Sequence, residues 1–453
     1  ELFCEMLRVE KLKEDWKENR KGVPINVSPN KISEYMKNLP FTLTKEQKES
    51  IEDTLNDLKK DTPMNRLLEG DVGTGKTIIA IIASLAAIKE GKNVLYMAPT
   101  EILAEQHFET FTKFLDDKDL KTADAQINLN TSKKKKAHLK GKTSITIGTH
   151  ALLHEKDKFE NIGLVIIDEQ HRFGVEQREK LVSFNKDKTT PHLLTRTATP
   201  IPRTLALTLY GDLKLSTLTE KPNKESKITT KVVPQNRRED VFKWIAKKKE
   251  PTFIVCPFIE ESEVENFSEV KSVKAEYERL RKGPFKNLNV GLLHGKMTSD
   301  EKTQVVEKFK QGDIKVLVST PVIEVGIDIP DATVIVIESA ERYGLASLHQ
   351  LRGRVGRGKK EGFCFVFTTS GRTSIERLKH LEMYNSGLKL AEIDLKLRGP
   401  GEIYGTRQHG FKDFKIADLS DTELIEEIKK DTAEIHGSLE EFPLIKAKLD
   451  DNS

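Results

Sequence analysis

Residues 70–77 of this 453-residue chain read GDVGTGKT, and the run Ile78 to Ala83 that follows is apolar enough to be a buried helix. Far downstream, the unbroken apolar run Leu164 to Ile167 ends on the acidic pair Asp168 and Glu169. A Gly-x-x-x-x-Gly-Lys-Thr loop opening into a helix aims backbone N–H groups at one point, which suits an anion with many oxygens in a small volume. Only glycine lets the chain approach that closely, and Gly70, Gly73 and Gly75 supply that freedom. Lys76 is placed to reach the β and γ phosphates, and the Thr77 hydroxyl suits an octahedral Mg2+ that keeps most of its waters. With Asp168 as a second magnesium oxygen and Glu169 beside it, the pattern is that of an NTP-hydrolysing motor.

Short apolar runs alternate with amphipathic stretches, the pattern of a parallel sheet with crossover helices. In the first half the expected strands are Val94 to Ala98, Ile145 to Ile147, Leu164 to Ile167 and Leu193 to Thr195. In the second half they are Phe253 to Cys256, Val290 to Leu293, Val316 to Val318, Val334 to Ile337 and Phe363 to Phe367. Glu220 to Glu239 is poor in large apolar residues and rich in charge, with Pro222 and Pro234, and reads as a linker between two α/β lobes. The second lobe has no phosphate loop and ends in QLRGRVGR, Gln350 to Arg357. Arg354 and Arg357, three apart, are expected on one helical face, placed to neutralise γ-phosphoryl charge as arginine fingers across a cleft.

Length and composition fit this picture. The chain is too long for one compact core. Its 32% charged residues imply a heavily solvated surface. No apolar stretch approaches the roughly 20 residues of a membrane span, so no membrane partner is expected. The chain opens on Glu1 without a basic and then apolar leader, so no secretory signal is expected in this stretch; a cytoplasmic, nucleoid-associated location and a monomeric state are separate expectations. Cys4, Cys256 and Cys364 are widely separated and read as core thiols of a reducing compartment, not as metal ligands. A net charge of +4 is too small to establish a nucleic-acid partner. The lysine runs Lys133 to Lys136 and Lys247 to Lys249 read as solvated surface before they read as phosphate contacts.

Together these segments resemble the superfamily 2 helicases through most of the chain. FTLTKEQ, Phe41 to Gln47, resembles the adenine-reading Q motif, with Gln47 as the base contact. APTEILAEQH from Ala98 resembles motif Ia and GTHALL from Gly148 motif Ib, which place Thr100 and Thr149 against a DNA backbone. DEQHRFGV from Asp168 and TATPIPRT from Thr197 resemble motifs II and III. VCPFIEES from Val255, HGKMTSDEKTQVVEKF from His294 and STPVIEVGIDIP from Ser319 resemble motifs IV and V.

Within that superfamily the likeness is to the RecG family of bacterial branched-DNA translocases. It rests on Gln170 and His171 after the acidic pair and on DLKLRGPGEIYGTRQHG, Asp394 to Gly410, preceded by ERLKHLE from Glu376. The latter resembles the TRG hairpin and loop, shared with the Mfd family, that turns lobe closure into a step along duplex DNA.

The resemblance implies two tandem RecA-like lobes with a helical hairpin appendage. It places a helical connector at 1–40, an ATP-binding lobe at 41–219, a linker at 220–236, a second lobe at 237–370 and the TRG hairpin and tail at 371–453. It implies ATP and Mg2+ as cofactors and duplex or branched DNA as partner. Gly326 and Asp328, with Thr197 and Thr199, would pass the nucleotide state to DNA. Arg377, Arg398 and Gln408 would couple it to movement. About forty residues precede the Q motif, too few for the family's oligonucleotide-binding wedge, so a separate or missing wedge is expected. Thr195 and Arg196 stand where the family has apolar residues, a departure expected to touch local packing only. An Mfd-like duplex translocase and a nucleotide-gated DNA-binding switch stay open as alternatives.

Overall fold

The protein is described by a computed structural model covering residues 2–116, 125–132, 134–138, 142–155, 159–169, 175–199, 202, 213–222, 227–257, 265–324, 329, 331–358, 360–369, 371–398, 422–435 and 441–445. The chain divides into two units, residues 1–222 with 395–453, and residues 223–394.

In the first unit α1 (Leu2–Glu18), α2 (Pro29–Lys37) and α3 (Lys45–Leu58) precede β1 (Asn65–Gly70), α4 (Lys76–Lys89), β2 (Asn93–Met97) and α5 (Glu101–Asp116). Then come β3 (Ala125–Asn130), β4 (Lys135–His138), β5 (Thr143–Gly148), β6 (Ile162–Asp168), α6 (Val175–Val182), β7 (His192–Thr197) and β8 (Lys214–Leu218). The strands form one sheet in the order β4-β3-β5-β2-β6-β7-β1-β8. Pairing is parallel except between β3 and β4.

Alternation along β6 shows why the sheet is covered on both faces. Leu164 and Ile166 join the cluster under α4, whereas Ile162, Val165 and Ile167 join the opposite cluster with Leu152, Leu181 and Phe184. A strand buried on both sides reads as an unbroken apolar run, which is how β6 stood out in the sequence. Because the central strands are parallel, Gly70, Asp168 and Thr197 all finish at the same sheet edge, where doubly wound sheets hold their ligands.

The second unit runs β9 (Ile228–Pro234), α7 (Arg238–Lys248), β10 (Thr252–Val255), α8 (Glu265–Lys282), β11 (Val290–Leu293), α9 (Ser299–Gln311) and β12 (Val316–Ser319). It continues with β13 (Val334–Ile337), α10 (Leu345–Arg352), β14 (Gly362–Thr368), α11 (Arg372–Met383) and α12 (Gly387–Arg398), the end of α12 falling in the first unit's share. Its sheet is parallel throughout, in the order β11-β12-β10-β13-β14-β9. In β13, Ile335 and Ile337 face one cluster, and Val334 and Val336 the other. The stretch expected to be linker is therefore partly strand: β9 pairs with β14 from Ile228 to Pro234. An edge strand needs only one buried face, so its charged and hydroxyl residues concealed it. Finally, α13 (Thr422–Ile435) packs against α1, with Ile425 and Thr432 buried. Among the described residues no helix is long and apolar enough to cross a membrane.

The N-terminal connector is stitched to its lobe. The Trp16 indole donates to Pro63 O (2.9 Å) and Ile25 N to Leu58 O (2.8 Å). His192, fully buried at the start of β7, accepts from Met64 N (2.8 Å) and bonds Val23 O through Nε2 (2.8 Å). Burial depresses the His192 imidazole from 6.5 to about 4. The unfolded chain thus binds the extra proton first, so this stabilisation is complete above pH 6.5 and is lost as pH falls towards 4. At 1.36 kcal/mol per pKa unit it amounts to roughly 3 kcal/mol. Urea unfolding at stepped pH should show that loss between pH 6.5 and 4. A His192 resonance titrating near 6.5 in the folded protein would refute it.

Candidate active site

At the end of buried β1 the neighbouring strand β8 runs so close that a Cβ on Gly70 would lie 2.6 Å from Leu218 O. Gly73 (φ 91°) and Gly75 (φ 84°) take left-handed conformations that side chains resist, and Gly75 is the N-cap of α4. Lys76 folds back along the loop, donating from Nζ to Gly70 O (2.5 Å) and Asp71 O (2.9 Å). Burial, helped by the Arg196 charge, pulls its amine down to about 8.

Gln47 braces this loop from α3. Its Oε1 accepts from Thr44 N (3.0 Å), completing a capping box, and its Nε2 donates to Thr74 O (2.8 Å). At 1% exposure Gln47 is turned to the protein, so its placement is that of a loop brace. Phe41, by contrast, is 40% exposed and meets Phe114 edge-on.

β7 lies between β1 and β6, and its register sets Arg196 level with Asp168 on one side and Leu68 on the other. The Asp168 carboxylate is caged. Oδ2 meets His107 Nε2 (2.6 Å) and the Tyr96 hydroxyl (3.5 Å), and Oδ1 faces Arg196 Nε (3.6 Å). Burial opposes its charge, but Arg196 and then His107 outweigh that and hold Asp168 well below the usual carboxylate range. Arg196 also donates to the Tyr96 hydroxyl through Nη1 and to Thr77 Oγ1 through Nη2 (3.2 Å). Thr77 and Asp168 thus converge on one cation. Hard oxygens so placed fit a magnesium ion.

Glu169 sits at φ 52°, a strained conformation for a residue with a Cβ, and its Oε2 accepts from Ala198 N (3.3 Å). The loop carrying Ala198 is itself tightened by Thr199 N donating to Thr197 Oγ1 (3.1 Å). Thr100 caps α5 by accepting from Leu103 N (3.3 Å), and Thr149 is buried at the head of a 3-10 turn, His150–His154. Lys134 and Lys135 of the lysine run pair with Glu105 (2.8 Å) and Glu155 (2.7 Å).

In the second unit the arginine pair does not lie on a helix. α10 ends at Arg352, and Arg354 and Arg357 occupy the turn after it, where Gly356 takes φ 70°. The helix stops at its C-cap Gly353 and the left-handed Gly356 turns the chain between the two arginines, so they do not share the helical face that three-residue spacing had suggested. Arg357 Nε donates to Gly353 O (2.8 Å), fixing the turn. Beneath it, Arg352 binds the α11 terminus through Leu381 O (2.7 Å) and Tyr384 O (3.0 Å). Arg377 donates to Glu341 O and Tyr343 O (both 3.0 Å) and pairs with Asp394 (3.2 Å), whose other oxygen accepts the first α10 amide, Leu345 N (2.8 Å).

Residues 44–208 match the DEAD/DEAH box helicase family, residues 236–359 the helicase conserved C-terminal domain, and residues 384–444 the C-terminal part of domain 3 of ATP-dependent DNA helicase RecG. The chain is 46% identical over 450 residues to ATP-dependent DNA helicase RecG of Aquifex aeolicus and 44% over 444 to that of Thermotoga maritima, in each case 96% of this chain and 56% of the relative. The structure of RecG bound to a three-way DNA junction overlays with a TM-score of 0.73 at 38% identity, over 94% of this chain and 56% of that one. The chain belongs to the RecG family. It spans about half the length of these curated relatives. A structure of yeast Dbp5 bound to RNA and ADP BeF3, at 20% identity and a TM-score of 0.57, shares the fold.

In this RecG-family chain, Gly326, Asp328 and Gln408 lie outside the described residues, as do Gln170 and His171. Arg398 ends α12, and its side chain lies outside them too. Tyr96, His107 and Arg196 are the site residues that sequence reasoning missed. Arg196 corrects the expectation that its substitution touches only packing, since it contacts both Thr77 and Asp168. The signal lay in strand order: a residue one strand from Asp168, at the same level, had to face it.

Proposed function

We propose that this chain is the ATP-driven motor of a RecG-type translocase acting on branched duplex DNA. The observation that carries the reading is the convergence of Lys76, Thr77, Asp168 and Glu169 at one sheet edge. Backbone N–H groups of the loop and Lys76 bind the phosphates, while Phe41 and Gln47 flank the nucleotide end of the loop. Thr77 and Asp168 would hold Mg2+, which supplies charge neutralisation on the phosphate oxygens when bound. Glu169, kept in place by Ala198 N, orients the attacking water and takes its proton. Arg354 and Arg357 would act as arginine fingers on the γ-phosphoryl, and Gly326 and Asp328 would take part in binding the nucleotide and passing on its state.

Thr100 and Thr149 lie against the DNA backbone, and Thr197 and Thr199 relay the nucleotide state towards it. Arg377, Arg398 and Gln408 belong to the hairpin that converts closure into a step. Such a grip on phosphates is sequence-independent and weakens with salt. The motor works as a cytoplasmic monomer.

Multiple-turnover phosphate release measured without DNA, with linear duplex and with forked or three-way DNA tests this. Branched DNA should stimulate most. Equal stimulation by linear duplex would favour an Mfd-like translocase, and no stimulated turnover would mean a binding switch.

A further inference from the structure

Resting on that reading of the nucleotide site, we propose that Arg196 is a built-in cation that competes with magnesium for Thr77 and Asp168, so that metal enters with the nucleotide and is expelled with the product. The guanidinium donates from Nη2 to Thr77 Oγ1 (3.2 Å), engaging an oxygen that a metal would also use. It faces Asp168 Oδ1 (3.6 Å), the carboxylate oxygen left over once His107 holds Oδ2.

The group is positioned to stay. Arg196 is 4% exposed on a central strand, its register fixes it beside Asp168, and the Tyr96 hydroxyl anchors Nη1. Its hold on Asp168 is nevertheless loose. The buried Nε–H has no hydrogen-bond acceptor among the described residues, so Arg196 meets this carboxylate by charge alone. A magnesium ion on the same oxygens meets a like charge a few ångströms off in a dry site, which weakens free-metal binding. Phosphate oxygens offset both cations. Once they leave, Arg196 recovers Thr77 and Asp168 and the metal loses its place. Arg196 is thus a positioning residue that sets metal affinity and does not touch the reacting atoms.

The test is Mn2+ binding to the whole chain in the presence of saturating ADP, read by electron paramagnetic resonance. Arg196→Met removes the competing charge, and Arg196→Gln removes it while keeping a donor for Thr77 and Tyr96. Both should lower the Mn2+ concentration at half-saturation by about tenfold. Arg196→Lys, which keeps the charge, should restore most of the wild-type value. A merely structural arginine would give the opposite result, with Met and Gln needing as much Mn2+ as wild type or more, and that outcome overturns the proposal. Urea midpoints identify any variant that fails to fold, and Arg196→Gln then decides. Should wild type itself take up no Mn2+ with ADP, the nucleotide-site reading fails and takes this inference with it.

Discussion

Glu169→Gln is expected to cut DNA-stimulated ATP turnover by about a thousandfold, within the ~10²–10⁴ that a positioned general base contributes. The amide keeps the shape and still accepts from Ala198 N, so the left-handed turn at φ 52° survives while the proton acceptor is lost. Binding of a fluorescent ADP analogue should change little. The contrast between binding and turnover identifies the defect as chemical. Residual turnover within tenfold of wild type would remove Glu169 from the role of base. No non-glycine residue keeps such a backbone angle without cost, and here the cost falls next to Asp168, whose carboxylate Arg196 and His107 hold ionised.

Removing the Arg357 guanidinium should be almost as damaging. Arg357→Ala is expected to lower DNA-stimulated turnover by about 10³, the scale on which arginine fingers act, with nucleotide affinity nearly intact. Arg357→Ala gives up the Nε bond to Gly353 O, but Arg352 still ties the end of α10 to α11, so the second unit should stay folded, which a urea midpoint checks. Equal loss from Arg354→Ala would make the two a pair. Full DNA-stimulated hydrolysis by Arg357→Ala would sink the assignment.

The fold was legible where burial on both faces made strands apolar without interruption. β6, β10, β12 and β13, buried throughout, match expected runs to within two residues at either end, and the apolar edge strand β11 matches as well. β1, β3, β4, β8 and β9 were missed, because Arg66, Asn128, Lys135, Lys214 and Lys231 interrupt their apolar pattern. Tertiary partners explain several of these. Arg66, for instance, is buried against Asp57 (2.8 Å) and Ser216 (2.5 Å). The phosphate loop could be read from spacing because its geometry is local to eight residues. The cage around Asp168 could not, since Tyr96, His107 and Arg196 come from three separate elements and meet only through strand order. Likewise, three-residue spacing put Arg354 and Arg357 on a helix that glycine had already ended.

One carboxylate has two duties in the second unit. Asp394 satisfies the opening amide of α10 and, with its other oxygen, pins Arg377 of α11. Arg377 in turn grips Glu341 O and Tyr343 O just ahead of α10, so the start of one helix and the middle of the other are riveted together at this corner. A displacement of α11 cannot be absorbed silently: either the rivets carry it into the first turn of α10, or that turn frays.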